Sequence, residues 1–139
     1  MAITAEGARK TTILLADDES AIALLLEMDL TRRGYCVLKT HSGLEAKQVS
    51  EDFPMPIDVL VADWSMPDMK GDELAHQLLP QRPEMKFVLM SGYPAAAESI
   101  NGFPKNQAVF ISKPFTPSKL DSAIKEILNT ADPSRTHAA

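Results

Sequence analysis

Asp17, Asp18, Asp63, Ser91 and Lys113 are the residues of this sequence best suited to chemistry, and each stands where an apolar run stops. Three carboxylates brought close together repel one another, so a proton or a cation must compensate. An all-oxygen ligand set favours Mg²⁺, which is commonly held by one or two carboxylates and keeps several waters. A carboxylate can also attack phosphorus and become an acyl phosphate. The charge that develops on the phosphoryl oxygens then calls for counter-charge. Lys113 offers a second cation and Ser91 a hydroxyl donor. Together these residue types are a parts list for phosphoryl transfer onto a carboxylate.

The chemistry requires that the five residues meet, and the apolar runs say how. Ile57 to Asp63 is an apolar stretch with β-branched members that ends abruptly in a carboxylate. Such a run, bounded by turn residues, reads as a strand buried on both faces. In open α/β sheets ligands bind just outside the carboxyl ends of the strands, so Asp63 is the expected reactive group. Further strands are expected at Thr12–Ala16, Tyr35–Lys39, Lys86–Met90 and Ala108–Ile111. Lys39 points to an edge position for the second of them.

Helices fit between the strands. The first is expected from Ser20, as its cap, to about Arg33, with Ile22, Leu25, Leu26 and Leu30 inward and Gly34 as its stop. The second opens at His41-Ser42-Gly43 and has Leu44, Ala46 and Val49 to pack. A third, from about Asp72 to Leu79, packs through Leu74 and Leu78. Pro94–Asn101 makes a poor helix whose one sizeable apolar residue is Ile100. Thr116-Pro117 is an N-cap with proline at the first helical position, opening a last helix with Leu120, Ile124, Ile127 and Leu128 on one face. This alternation implies an α/β fold, a parallel sheet of five strands covered on both faces. Asp17 and Asp18, Asp63, Ser91 and Lys113 then gather at one edge of that sheet.

At 139 residues the chain is expected to form one domain. A length of this order buries enough surface to need no staples, and the single Cys36 leaves no internal disulfide. No run approaches the ~18 apolar residues of a membrane helix, and the polar start lacks the apolar core of a signal peptide. A cytoplasmic location is expected. The net charge of −5 is interspersed, without a basic stripe, which argues against direct nucleic-acid binding. Residues 1–10 and 131–139 are expected to be loose tails around a folded domain of residues 11–130.

The motifs resemble, in order and at strand ends, the receiver domains of two-component response regulators, the family of the chemotaxis protein CheY. The resemblance runs from about Thr11 to Leu128. It rests on Asp17-Asp18, then Asp63-x-x-Met66-Pro67-x-x-x-Gly71, then Ser91-Gly92, then Lys113-Pro114-Phe115. It implies a doubly wound, flavodoxin-like (βα)5 fold with strand order 2-1-3-4-5. It also implies that Asp63 accepts phosphate from a phosphohistidine and becomes a 4-aspartylphosphate. Asp18, Asp63 and the backbone carbonyl of Ser65 would bind Mg²⁺ directly, or Mn²⁺ in its place, and Asp17 mostly through water. Ser91 and Phe110 would be the switch pair, Lys113 the phosphate's counter-charge, and Pro114 a cis proline. Phe110 lacks the hydroxyl of the tyrosine often found there, so its two states would differ by burial. Ser65 and Tyr93 flank the site where they would tune the phosphoryl lifetime.

The partners implied are a sensor histidine kinase or a histidine phosphotransfer protein and a downstream protein docking on the fifth strand and its flanking helices. A monomer or weak dimer is expected. No enzyme activity is expected beyond self-phosphorylation and self-dephosphorylation. An aspartate-based phosphatase would carry a second acid where Ser65 stands. A pseudo-receiver would have lost Asp63, Asp18 or Lys113, and a flavin carrier would have a Ser/Thr/Gly-rich loop after the first strand. The initiating Met1 and the polar tails favour a free single-domain regulator. A receiver cut from a hybrid kinase, or a phosphorelay intermediate, is the alternative, because Ser91-Gly92-Tyr93 and Lys113-Pro114-Phe115-Thr116 look much like such receivers. His41, His76 and His137 are scattered without ligand spacing and are expected at the surface, Cys36 as a small buried hydrophobe. Trp64 is expected as a partly buried aromatic. Asp68, Asp72 and Glu73 are expected in a loop and helix start.

Overall fold

The computed structural model describes residues 9–129. The expected tails lie almost wholly outside them; Arg9, which is described, pairs with Asp58 through its two terminal guanidinium nitrogens at 2.7 and 2.6 Å. Five strands form one parallel sheet: β1 (Thr12–Ala16), β2 (Cys36–Thr40), β3 (Val59–Asp63), β4 (Lys86–Ser91) and β5 (Ala108–Ser112). Their order is β2-β1-β3-β4-β5. This is the doubly wound arrangement expected, with β2 and its Lys39 at an edge. Lys39 pairs with Glu27 at 3.1 Å.

Alternation along the strands splits the core in two. Leu14, Leu60, Phe87 and Leu89 face one side, where α2 (Gly43–Asp52) and α3 (Gly71–Leu78) cover them. Ile13, Leu15, Val61, Val88 and Met90 face the other, under α1 (Ser20–Arg32) and α4 (Pro117–Asn129). β1 and β3 are buried along their whole length, which is why their sequences read as unbroken apolar runs. Two charged staples sit below. Asp121 accepts from the Tyr35 hydroxyl and pairs with Arg33 and Lys125, joining α1, β2 and α4. Arg82 donates to Ser50 Oγ and to the carbonyls of Ser50, Phe53 and Met55, tying down the end of α2.

Several expectations need correction. Ser20 is not the cap of α1: Glu19 occupies that place, and no side chain there accepts a helical amide. Ala23 takes the inward position expected for Leu25, which is 63% exposed. With Leu24 and Met28 also exposed, α1 carries a second apolar stripe at i, i+3, i+4 and i+7 from Ala21, opposite the core stripe. Leu44 also faces outward, leaving α2 to pack through Ala46 and Val49. β3 begins at Val59 rather than Ile57, while β4 and β5 each reach one residue further, to Ser91 and Ser112. Cys36 is half-buried at the sheet edge. Gly34 ends α1 with φ of 102°, a conformation that glycine adopts at no steric cost. His76 is exposed and stacks on Phe103 at 4.1 Å, His41 is half-buried, and His137 lies outside the described residues.

The poor helix is a 3-10 helix, nine residues long from Pro94 to Gly102. Runs beyond 3–4 residues are uncommon because their hydrogen-bond geometry is weak. Ala96 is its one buried residue. Amides of residues 95–102 are therefore expected to exchange with solvent at least about a hundredfold faster than those of β1 and β3. Exchange as slow as in those strands would show the segment to be a rigid part of the fold.

Candidate functional site: an acidic pocket at the sheet edge

Strand order brings the acids together. β1 and β3 are neighbours, with Ala16 opposite Ala62, so the chain leaves both strands side by side. The crossover from β1 runs one way to β2 and the next runs the other way, which opens the crevice between the two ends. One ligand atom from each of Asp17, Asp18 and Asp63 lies within 4.8 Å of the others. Asp17 is fully buried, Asp63 is 5% exposed, and Asp18 faces solvent. Ser91, opposite Ser112 at the end of β4, is buried. Asp63, Ser65, Ser91, Tyr93 and Lys113 line one cavity of about 420 Å³.

Lys113 reaches into this pocket. Its Nζ lies 3.4 Å from Asp63 Oδ2, 3.9 Å from Asp17 Oδ2 and 3.8 Å from Glu19 Oε1. The Lys113–Pro114 bond is cis. Lys113 N–H donates to Ser91 O at 2.8 Å, which joins the two strand ends. Tyr93 N–H donates to Ser91 Oγ at 3.0 Å. The hydroxyl proton of Ser91 can then be given to another acceptor.

Burial dominates the electrostatics. Desolvation pushes Asp17 up to about 6, partly offset by the Glu19 amide and Lys113 and reinforced by the charges of Asp63 and Glu19. Desolvation likewise raises Asp63, against the Ser65 amide and Lys113, with Asp18 adding to the rise. Asp17 Oδ2 is buried without a hydrogen-bond partner. A buried carboxylate oxygen with no hydrogen bond, beside two other acids and with Lys113 Nζ no nearer than 3.9 Å, is a costly arrangement that a cation would relieve. The donor set is all oxygen, which fits Mg²⁺.

The loop after β3 is shaped by close contacts. Ser65 N–H donates to Asp63 Oδ1 at 3.2 Å, and Gly71 N–H to Trp64 O at 2.9 Å. A Cβ on Gly71 would stand 2.6 Å from Asp63 O and 3.0 Å from Trp64 Cα, so only glycine permits this approach. Trp64 is half-buried, as expected, with Lys70 Nζ 4.3 Å from its ring centroid. Phe110 sits on β5, half-buried, and packs on the α2–α3 side of the core. It does not join the acidic pocket.

Sequence reasoning did not single out Glu19 as a partner of Lys113; its place after Asp17-Asp18 was the available signal. It also left out an apolar groove of about 590 Å³ that borders the pocket. Ile22, Leu25, Leu26, Pro114, Phe115 and Pro117 line it, while Glu19, Gly92 and Lys113 belong to both groove and pocket.

Comparison with known proteins identifies the family. Residues 13–125 match the family model of the response regulator receiver domain. The sensor kinase CckA of Brucella abortus is 35% identical over 121 residues, covering 87% of this chain and 13% of that protein. The transcriptional regulatory protein PhoP of Bacillus subtilis is 29% identical, and the chain spans 49% of its length. The CheY homologue of Campylobacter jejuni is 31% identical over 124 residues, covering 85% of this chain and 92% of that one. A response regulator receiver protein from Sinorhizobium medicae has the same fold, with a TM-score of 0.76, 33% identity and coverage of 86% of this chain and 95% of its own. The acidic edge between β1 and β3 and the lysine that reaches it thus sit in a chain that belongs to the response regulator receiver domain family.

Proposed function

We propose that the protein is a phosphoacceptor switch that takes a phosphoryl group onto Asp63 from a phosphohistidine of a sensor histidine kinase or histidine phosphotransfer protein. The observation that carries this reading is the position of Lys113 Nζ, 3.4 Å from Asp63 Oδ2 at the mouth of the acidic pocket. A carboxylate oxygen of Asp63 attacks phosphorus, an O–P bond forms and the N–P bond breaks. The electron pair of that bond stays on the imidazole nitrogen, which takes up a proton. Lys113 balances the charge developing on the phosphoryl oxygens, and the Ser91 hydroxyl donates to one of them. Asp17, Asp18, Asp63 and the Ser65 carbonyl would hold Mg²⁺. Bound there, Mg²⁺ supplies further positive charge to the phosphoryl oxygens.

The chain acts as a switch rather than as a turnover enzyme; its own chemistry is limited to gaining and losing the phosphoryl group. Loaded phosphate draws Ser91 inward and leaves room for Phe110, which changes the face made by β5, the 3-10 segment and α4. A downstream protein reads that face. The groove beside the pocket seats the phosphodonor partner, since its apolar lining is continuous with Lys113 and Gly92. Leu25→Asp is therefore expected to slow transfer from a phosphohistidine protein about tenfold, while loading from acetyl phosphate changes less than about twofold. Equal slowing with both donors would show that Leu25 acts on the pocket itself.

The test of the reading uses Trp64, the one tryptophan of the chain. Its fluorescence is followed while Mg²⁺ and then a beryllofluoride phosphate mimic are added. A saturable Mg²⁺ response, and a mimic response that needs both Mg²⁺ and Asp63, supports the switch. A folded chain that answers neither overturns it. A second reading, a receiver from a hybrid kinase or a phosphorelay, is favoured by the 35% identity to part of the kinase CckA. Transfer of phosphate onward from Asp63 to a histidine phosphotransfer protein distinguishes it.

A further inference from the structure

We propose that Asp68 is a positioning residue that sets the divalent-cation affinity of the pocket by clasping the loop after Asp63 to the first turn of α2. This rests on the reading of the acidic cluster as an Mg²⁺ site. Asp68 Oδ1 accepts from Gly43 N–H at 3.1 Å and Oδ2 from Leu44 N–H at 2.8 Å. Helix α2 has a cap of its own: Ser42 Oγ accepts from Glu45 N–H at 3.0 Å, and Glu45 Oε1 accepts from His41 N–H at 2.7 Å. Those bonds serve the third helical amide and the amide of His41, and leave the first two helical amides, those of Gly43 and Leu44, to another acceptor. Asp68 accepts from both of these, so its carboxylate completes the cap of α2 and ties that helix to the loop.

The contact is close. A Cβ on Gly43 would stand 2.9 Å from Met69 Cβ, so helix and loop abut at that point, with Met69 buried beneath them. Asp68 stands three residues past Ser65, which lines the pocket and whose amide is bonded to Asp63 Oδ1. On the other side, α2 follows directly from β2, where Thr40 O accepts from Asp17 N–H at 3.2 Å. Asp68 thereby closes a ring that runs Asp63, loop, α2, Thr40, Asp17. The two buried acids are held in register by the sheet and again by this clasp. Residues that orient metal ligands without touching the metal typically change affinity by 10–100-fold when lost.

The test is an Mg²⁺ titration of the full chain, by Trp64 fluorescence and by calorimetry, on the parent, Asp68→Ala and Asp68→Asn. Asp68→Ala is expected to bind Mg²⁺ about tenfold more weakly. Asp68→Asn, which keeps one acceptor oxygen, is expected to recover part of that loss. If Asp68→Ala unfolds at lower temperature but binds Mg²⁺ within about twofold of the parent, Asp68 is only a helix cap and the proposal falls. If Asn and Ala weaken binding equally, the effect is lost charge and the proposal also falls. Should Asp68→Ala fail to fold, Gly43→Ala carries the test, because it disturbs the same junction without altering charge; unchanged affinity there overturns the proposal. A parent that shows no saturable Mg²⁺ binding overturns the site reading itself, an outcome distinct from a parent that binds and an Asp68→Ala that binds alike.

Discussion

Asp63→Asn is expected to lower phosphoryl uptake by on the order of 10⁴-fold or more, the scale seen when a nucleophile is removed from a preorganised site. The amide has nearly the shape of the carboxylate and can still accept from Ser65 N–H, now bonded to Asp63 Oδ1 at 3.2 Å. It offers no anionic oxygen to attack phosphorus, and Lys113 loses its nearest charge partner in the pocket. The fold should be retained, because the core residues of β3 are Val59 to Ala62. The measurement is incorporation of labelled phosphoryl group from acetyl phosphate, with circular dichroism as a control for folding. Uptake at a rate near the parent's would mean that another side chain is the acceptor.

Asp17→Asn is expected to stabilise the fold in metal-free buffer at pH 8 by about 2 kcal/mol. The sign follows from its raised value. Burial pushes folded Asp17 up to about 6 from an ordinary value of 3.8. Between those limits the folded chain holds a proton that the unfolded chain has released, so stability falls as pH rises through this window. Each pKa unit is worth ~1.4 kcal/mol, which makes ionised Asp17 a cost of about 3 kcal/mol above pH 6. The amide of asparagine, facing Lys113, gives part of that back. For a chain of this size the gain corresponds to about 4–8 °C in unfolding temperature. Near pH 4 the difference should shrink, since the folded parent's acid is then protonated and the unfolded one, near its ordinary value of 3.8, is only partly ionised. Mg²⁺ should narrow it from the other side, because a ligand that binds only the folded parent stabilises it by mass action. Thermal unfolding at pH 4 and pH 8, with and without Mg²⁺, checks all four conditions. A variant less stable than its parent at pH 8 without metal would show that burial of Asp17 carries no such strain.

Much of this architecture is legible in the residues. Strands such as Thr12–Ala16 and the core of Ile57–Asp63 announce themselves because burial on both faces leaves no polar position to interrupt them. The polar groups placed at their ends converge, since parallel strands all leave the sheet at one edge. Helix faces were harder. α1 is apolar nearly all round, so periodicity alone could not tell that Ala23 turns inward and Leu25 outward. Ser20 looked like a cap by residue type, but the crossover from Asp17 needs Glu19 in that place, and its side chain goes towards Lys113 instead. The nine-residue 3-10 run was expected only as a weak helix, because proline, glycine and a lack of apolar residues signal instability without specifying a form. By type and place Asp68 reads as a loop residue; its contact with Gly43 and Leu44 is one that no local pattern encodes. Contacts between elements distant in sequence are where pattern reading ends.

The close approach of Gly71 to the carbonyl of Asp63 bears on how such a chain tolerates mutation. A methyl group there must push aside the backbone of Asp63 itself, while Leu74, Ala75 and Leu78 still anchor α3 in the core. The harm falls on alignment more than on cohesion. A Gly71→Ala molecule would remain soluble and compact, and a screen for expression would pass it. A screen for bound phosphate would reject it. A substitution at this position is therefore expected to cost the alignment of Asp63 first and some stability with it.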